Sequence, residues 1–178
     1  MSRVRLFAAM SLDGFIADAA GGIDWLAEYD ARKYGLDAFL GEIGAVVMGR
    51  RTFEQIATFD ESWPYAGKRA VVLSSRRLAR LPDGASIERN GIAPAIAAAR
   101  SGDGDVWVVG GAMAMRTALE AHLVDEITLH LIPVVLGSGI PLLGEMRERL
   151  RLGFDTVEIH KDGVVKLSYL PERPKPSR

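Results

Sequence analysis

AVVMGRRTFE, residues 45 to 54, runs from apolar β-formers through Gly49 into two arginines, a threonine and the start of a helical pattern. A β-run that passes at a glycine straight into a helix is the corner of an α/β unit, and this chain repeats it. RAVVLSS at 69–75 ends in Ser74-Ser75-Arg76-Arg77, and DVWVVGG at 105–111 passes through Ala112 into MAMRTALEA at 113–121. Further strands are expected at 3–10, closed by the turn SLDG, at 45–48 and at 85–89. Helices are expected at 27–42, weakened by Gly35, at 52–58 and at 93–100, and a long apolar stretch fills 123–136. Strands alternating with helices predict an α/β fold of three layers, a mostly parallel central sheet flanked by helices.

The two ends of the pattern differ. FDTVEIHKDGVVKLSYL alternates polar and apolar residues on either side of Lys161-Asp162-Gly163, which predicts an antiparallel carboxyl-terminal hairpin. Residues 11–25 hold Gly14, Gly21 and Gly22 and read as a mobile surface loop anchored by Trp25. A single domain is expected over residues 1–171, with 172–178, rich in proline and charge, as a flexible tail.

Twenty-two basic residues against 23 acidic ones give a net charge of −1 and a pI near 6.3. That balance lacks the basic footprint of a nucleic-acid or anionic-membrane binder, so the expected partner is a small molecule. Cysteine is absent, which excludes disulfides and thiolate chemistry. No apolar run has the length of a membrane span and no signal-peptide pattern opens the sequence, so a soluble cytoplasmic protein is expected. No spacing of His, Asp and Glu resembles a metal site.

In an open α/β sheet the strand-to-helix corners lie at the carboxyl edge, where ligands bind. Gly for close approach, Arg and Thr for charge-assisted bonds, and the free N–H groups of a helix start together make a phosphate cradle. Each corner also has a purely structural reading. Thr52-Phe53-Glu54-Gln55 fits a capping box, Arg76, Arg77 and Arg80 fit a solvated face, and Gly110-Gly111 fits a tight turn. Neither GxGxxG nor a Walker motif occurs.

The blocks AAMSLDGFIA (8–17), VVMGRRTFE (46–54), VVLSSR (71–76), VWVVGGAMAM (106–115) and LVDEITLHLIPVVLGSGIPLL (123–143), in this order, resemble the dihydrofolate reductase-like superfamily. SLDG and PVVLGSGIPLL are closer to the reductase domain of the riboflavin-pathway deaminase/reductase and its stand-alone relatives. The resemblance implies a reductase similar to 5-amino-6-(5-phosphoribosylamino)uracil reductase, with NADPH lying across the carboxyl edge, and a homodimer to which the stretch 129–143 contributes. Carried over by position, Ala9, Ile16 and Ala17 flank the nicotinamide, and residues 17–24 form a loop that closes over it. Gly49, Arg50, Arg51 and Thr52 hold cofactor phosphates, and Ser74, Ser75 and Arg76 face the adenosine 2′-phosphate. Val109 belongs to the same cofactor-contacting block, Gly110-Gly111 matches a glycine pair usually joined by a cis peptide, and Ala112 and Met113 cap the pyrophosphate.

Proton delivery is the unassigned part of the chemistry. Counting back from Gly49, the position of the dihydrofolate reductase carboxylate falls on Lys33, so no acid is there. Asp30 and Asp37, a helical turn away on either side, are catalytic candidates, as are Asp13 in the SLDG turn and His130 in an apolar strand. For each a structural role is the alternative. Substrate-side candidates are Asp24, Trp25, His130, Gly137 and Ser138, the last two through backbone N–H groups that could meet a substrate phosphate. The riboflavin-type domains carry a lysine directly after SLDG, where this chain has Phe15. Two alternatives to a riboflavin-type reductase stand beside it: a non-catalytic NADPH- or nucleotide-binding protein, and an authentic dihydrofolate reductase.

Overall fold

The computed structural model of the chain describes residues 2–58 and 62–173. Strand β1 (Val4–Ser11) is followed by a short β2 (Phe15–Ala17), two 3-10 turns (Asp24–Leu26 and Ala31–Tyr34), α1 (Leu36–Glu42) and β3 (Ile43–Gly49). Then come α2 (Arg50–Ile56), β4 (Arg69–Leu73), β5 (Ala85–Glu88), α3 (Ile92–Ala99), β6 (Asp105–Gly110) and α4 (Ala112–Glu120). The chain ends in β7 (Glu126–Ile132), a two-residue β8 (Ile140–Pro141), β9 (Leu152–Ile159) and β10 (Val165–Pro171).

Eight strands form one sheet in the order β5-β4-β3-β6-β1-β7-β10-β9. The first six run parallel, and β10 and β9 add antiparallel as the expected hairpin. The period-2 alternation of a strand sorts its side chains between two helical layers. In β3, Val46 and Met48 join Phe39 of α1 and Phe53 and Ile56 of α2, whereas Ala45 and Val47 join Ala95 and Ile96 of α3 and Met115 and Leu119 of α4. Both faces are thus dry, with Val46, Val47 and Met48 at 0% exposure. Each such side chain contributes roughly 1.5–3 kcal/mol of burial.

The helix expected over 27–42 is a correction. Gly35 takes φ 91°, a left-handed conformation that ends the Ala31–Tyr34 turn and restarts the chain as α1. The loop expected over 11–25 contains β2, which pairs antiparallel with β8. That pairing depends on Gly139, where a methyl group would stand 2.2 Å from the Ala17 carbonyl oxygen. At the amino edge of the sheet Arg3 and Arg5 meet Glu42, Asp105 and Glu126 in one ion-pair network that ties β1, β6, β7 and α1 together. In the expected tail, the Glu172 amide donates to the Arg151 carbonyl and Arg173 pairs with Asp125, while 174–178 lie outside the described residues. Among the described residues no helix is long and apolar enough to cross a membrane.

Candidate active site

The parallel strands bring their carboxyl ends to one edge, so the three corners stand side by side: Ser74–Arg77 after β4, Gly49–Thr52 after β3, and Gly110–Met113 after β6. Register makes the contact direct, with Leu73 opposite Gly49 and Met48 opposite Gly110. A methyl group on Gly49 would lie 3.8 Å from the Gly110 oxygen and the Gly111 nitrogen. The Gly110–Gly111 peptide is cis, as the resemblance implied. A methyl group on Gly111 would come within 3.3 Å of Thr52 Oγ1, so the glycines leave an open backbone surface facing that hydroxyl.

The capping-box reading of Thr52 and Gln55 is corrected here. α2 begins at Arg50 with Gly49 as its cap and no side-chain cap bond, which makes Thr52 the third residue of the helix. Gln55 Nε2 instead donates to the Gly21 carbonyl at 2.8 Å, tethering the loop after β2 to α2. That loop is also braced internally, because Asp18 Oδ1 accepts from the amides of Ala20 and Gly22, both at 2.7 Å. α4 likewise starts at a capless Gly111, so the first amides of both helices are free of side-chain caps and point at the same corner.

The basic residues divide. Arg50 is held by Glu54, one helical turn on, at 2.7 Å from both carboxylate oxygens. Arg51 is exposed, with no ion-pair partner among the described residues. Ser74 is turned inward, its hydroxyl donating to the Arg76 carbonyl and accepting from the Arg76 amide, so it shapes the corner rather than facing outward. Ser75 and Arg76 remain exposed. Val109 is half-buried against the α1–α2 layer, and Met113 is 70% exposed at the start of α4.

Past β6 the edge continues to β1 and β7. Ala9 stands opposite His130; Ile16 and Ala17 lie on β2, where Ile16 packs on the α3–α4 core and Ala9 on the Tyr34–Ile132–Val164 cluster instead. Ala9, Trp25, Leu26, Tyr29 and Val134 pack on buried Tyr34, Ile132 and Val164, an apolar wall at this end. Among the described residues Trp25 Nε1 is buried without a hydrogen-bond partner, while Asp24 is exposed.

Asp13 and His130 are held within the fold, whereas Asp30 and Asp37 are exposed. Asp13 Oδ1 accepts from Ser11 Oγ at 2.7 Å and from the Leu136 amide at 3.1 Å, and Oδ2 accepts from the Gly137 amide at 2.7 Å. The Ser11 hydroxyl first, then those amides, hold its carboxyl below the usual range against the cost of desolvation. Gly137, expected to offer its N–H to a substrate, has therefore given it to Asp13; exposed Ser138 follows it. Asp30 caps the 3-10 turn by accepting from the Arg32 amide, and exposed Asp37 lies 3.8 Å from Arg32. Lys33 is exposed on that same turn.

His130 is 3% exposed, with Nε2 3.2 Å from the Tyr34 carbonyl and its ring 4.6 Å from that of Phe7. Burial, opposed by that carbonyl, pushes its pKa down and keeps it neutral, so it serves as a hydrogen-bonded brace of the Tyr34 backbone. Tyr34 is the residue the sequence reading missed. Its hydroxyl donates to Asp162 at 2.6 Å, which latches the tip of the β9–β10 hairpin to the 3-10 turn, and burial, then Asp162, raises the Tyr34 pKa to about 12. The partners are 128 residues apart, and no local pattern announces such a pair. Among the described residues no cluster of His, Asp and Glu could hold a metal ion.

A sequence model of the RibD C-terminal domain matches residues 2–166. The chain belongs to the RibD C-terminal domain family. It is 32% identical over 149 residues to the uncharacterized protein YwjB of Bacillus subtilis (strain 168), covering 83% of this chain and 86% of that one. A putative riboflavin biosynthesis protein from Shewanella sp. PV-4 superposes with a TM-score of 0.82 at 29% identity, covering 96% of this chain and 99% of that one. Dihydrofolate reductase from Enterococcus faecalis shares the fold, with a TM-score of 0.67 at 16% identity over 96% of this chain and 97% of that one. The RibD-type resemblance and the dihydrofolate reductase-like fold read from the sequence are both met, and a reductase-type function accompanies the family.

Proposed function

We propose that this RibD-type domain is a cytoplasmic NADPH-dependent reductase that delivers hydride to a small heterocyclic or carbonyl substrate. The observation that carries the reading is the spatial order of the corners. Along one edge stand an exposed Ser75–Arg76 pair, two capless helix starts around Gly49 and Gly110–Gly111 with Thr52 between them, and the apolar carboxyl end of β1. An extended dinucleotide has its own parts in that order: a 2′-phosphate, a pyrophosphate and a flat ring. The residues fit the group: Ser75, Arg51 and Arg76 offer charge and donors, Thr52 and the amides of 50–52 and 111–113 cradle phosphate, and residues 17–24 cover the ring. NADPH supplies the hydride; the chain orients the reactants and keeps the pocket dry. Asp13 and His130 are engaged within the fold and Asp30 and Asp37 lie exposed on the 3-10 turn and α1, so the proposal takes solvent water as the proton source. The dihydrofolate reductase solved with NADP(H) supports the cofactor assignment through the shared fold.

Thermal-shift titration tests the reading. A ligand at one hundred times its Kd stabilises by about 2.7 kcal/mol, which for a domain of this size is a rise of roughly 5–10 °C. NADPH is expected to give it and NADH a smaller one; equal, negligible shifts refute the proposal. The engagement of Asp13 and His130 within the fold favours, as a second reading, a protein that binds NADPH without turnover. NADPH oxidation with any pterin, pyrimidine or carbonyl compound dismisses that reading.

The proposal includes a homodimer. Its support is the outward face of the hairpin, where Phe154, Val157 and Ile159 on edge strand β9 are 63%, 48% and 78% exposed. A groove of about 570 Å³ between α4 and residues 143–152 continues that apolar face.

A further inference from the structure

We infer that Asn90–Gly91 is a self-modification site: the Gly91 nitrogen attacks the Asn90 carboxamide, ammonia is lost, and the carboxylate that water then generates weakens NADPH at the neighbouring phosphate corner. The modification is independent of the reductase reading; its effect on NADPH rests on that reading. Asn90 is the one asparagine in the chain, and a glycine follows it.

The reaction asks three things of the fold: a carboxamide open to water, a free backbone nitrogen after it, and a following residue with no side chain in the way. Asn90 and Gly91 are both exposed, in the turn between β5 and α3. Gly91 takes φ 102°, in the region that favours glycine, and stands as the cap of α3, ahead of the helical ladder. Among the described residues its N–H donates to nothing. The carboxamide has one restraint, Glu88, whose Oε1 accepts from Asn90 Nδ2 at 3.0 Å and from the amides of Arg89 and Asn90, both at 2.7 Å. These bonds lie at the surface, where water competes for them.

In the first step the deprotonated Gly91 nitrogen bonds to Asn90 Cγ, the Cγ–Nδ2 bond breaks, and ammonia leaves with a proton from water, closing a cyclic imide. Water then opens the imide to aspartate or isoaspartate. The net change is amide plus water to carboxylate plus ammonium, with no oxidant or reductant. The product has a carboxylate where Nδ2 donated to Glu88. The Asn90 amide first, then the Arg89 amide and the Asn90 side chain, hold the Glu88 carboxyl below its usual range against desolvation, so two negative charges now meet and the clamp opens.

The same turn borders the cofactor edge. Leu73 lies opposite Glu88, and the Ser74 amide donates to the Glu88 carbonyl at 3.1 Å, so Asn90 follows closely on the strand end that abuts the Ser74–Arg77 corner. A new negative charge there opposes the 2′-phosphate of NADPH and spares NADH, which has none. β5 is at the far edge of the sheet from β9, so the proposed dimer leaves the turn open to water.

The test incubates the full chain in mildly alkaline buffer at physiological temperature for days, followed by isoelectric focusing and peptide mass mapping. An acidic species is expected to accumulate, changed only in the peptide that holds Asn90, with ammonia released in equal amount; Asn90→Gln should block it. Asp13, Asp83, Asp103 and Asp162 also precede glycines, but rearrangement there changes no charge and releases no ammonia. Asn90→Asp should bind NADPH roughly two- to fivefold more weakly at low salt, with NADH unchanged and the gap closing as salt rises. An Asn90 that stays intact while a free peptide of the same sequence converts overturns the site. An unchanged ratio of NADPH to NADH affinity in Asn90→Asp overturns the effect on the cofactor. Failure of the native protein to bind NADPH refutes the reductase reading and with it that effect, while the mass map still decides the modification.

Discussion

Replacing Thr52 by valine separates two roles for the corner that opens α2. Valine keeps the β-branched shape and the helix propensity of threonine and removes only the hydroxyl. If Thr52 were a helix cap, its loss would cost about 1 kcal/mol and lower Tm by roughly 2–4 °C in the free protein. Gly49 is the cap, however, and among the described residues the Thr52 hydroxyl makes no hydrogen bond and faces Gly110–Gly111. The free protein should therefore keep its Tm within roughly 2 °C. A hydrogen bond to a charged phosphate is worth about 1.5–3 kcal/mol, so NADPH affinity should fall roughly 10- to 150-fold. Nucleotide fluorescence titration gives the Kd and calorimetry of the free protein gives the Tm. A variant that loses Tm and binds NADPH normally would show that the hydroxyl serves the helix, and the cradle assignment would be withdrawn.

Other consequences can be checked on the same preparations. Gly44→Ala should be among the most damaging single changes, because the new methyl would stand 1.7 Å from the Asp103 carbonyl oxygen; overpacking of about 3 kcal/mol predicts a Tm drop of roughly 6–12 °C by calorimetry. The Asp13 carboxyl is held below its ordinary value of 3.8, so its contribution is present above that pH and fades as pH falls through the depressed pKa. The Tm gap between the native protein and Asp13→Asn should accordingly close in acid below about pH 4 and stay constant near neutrality. His130 is pushed below its ordinary 6.5, so below that pH the unfolded chain binds the extra proton and stability declines. His130→Gln, which can still donate to the Tyr34 carbonyl, should abolish that portion of the pH dependence. Phe154→Asp with Ile159→Lys should give a monomer by light scattering while leaving NADPH affinity unchanged.

The centre of the sheet could be read from the sequence because β3 and β6 are short β-branched runs closed by glycine with a helix following at once, and β4 is such a run closed by two serines. In AVVMGRRTFE, RAVVLSS and DVWVVGG the strand ends lie within two residues of those the pattern predicts. What failed was local where the competing signals were local. One φ of 91° at Gly35 broke an expected helix, and β2 with β8 are too short to carry a period of their own.

Sequence alone determined which residue types stand at the ends of strands, and hence that glycines, arginines and serines gather at one edge, since parallel strands must share an edge whatever their order. It could not say which groups are already spoken for. That Asp13 consumes the amides of Leu136 and Gly137 and that Tyr34 clasps Asp162 are outcomes of tertiary proximity, whereas Glu54 holding Arg50 and Ser74 bonding Arg76 are local, between residues four and two apart. A polar side chain is open to a ligand only where folding has brought it no nearer partner, and the Asp13 and Tyr34 partners lie more than a hundred residues away in the chain.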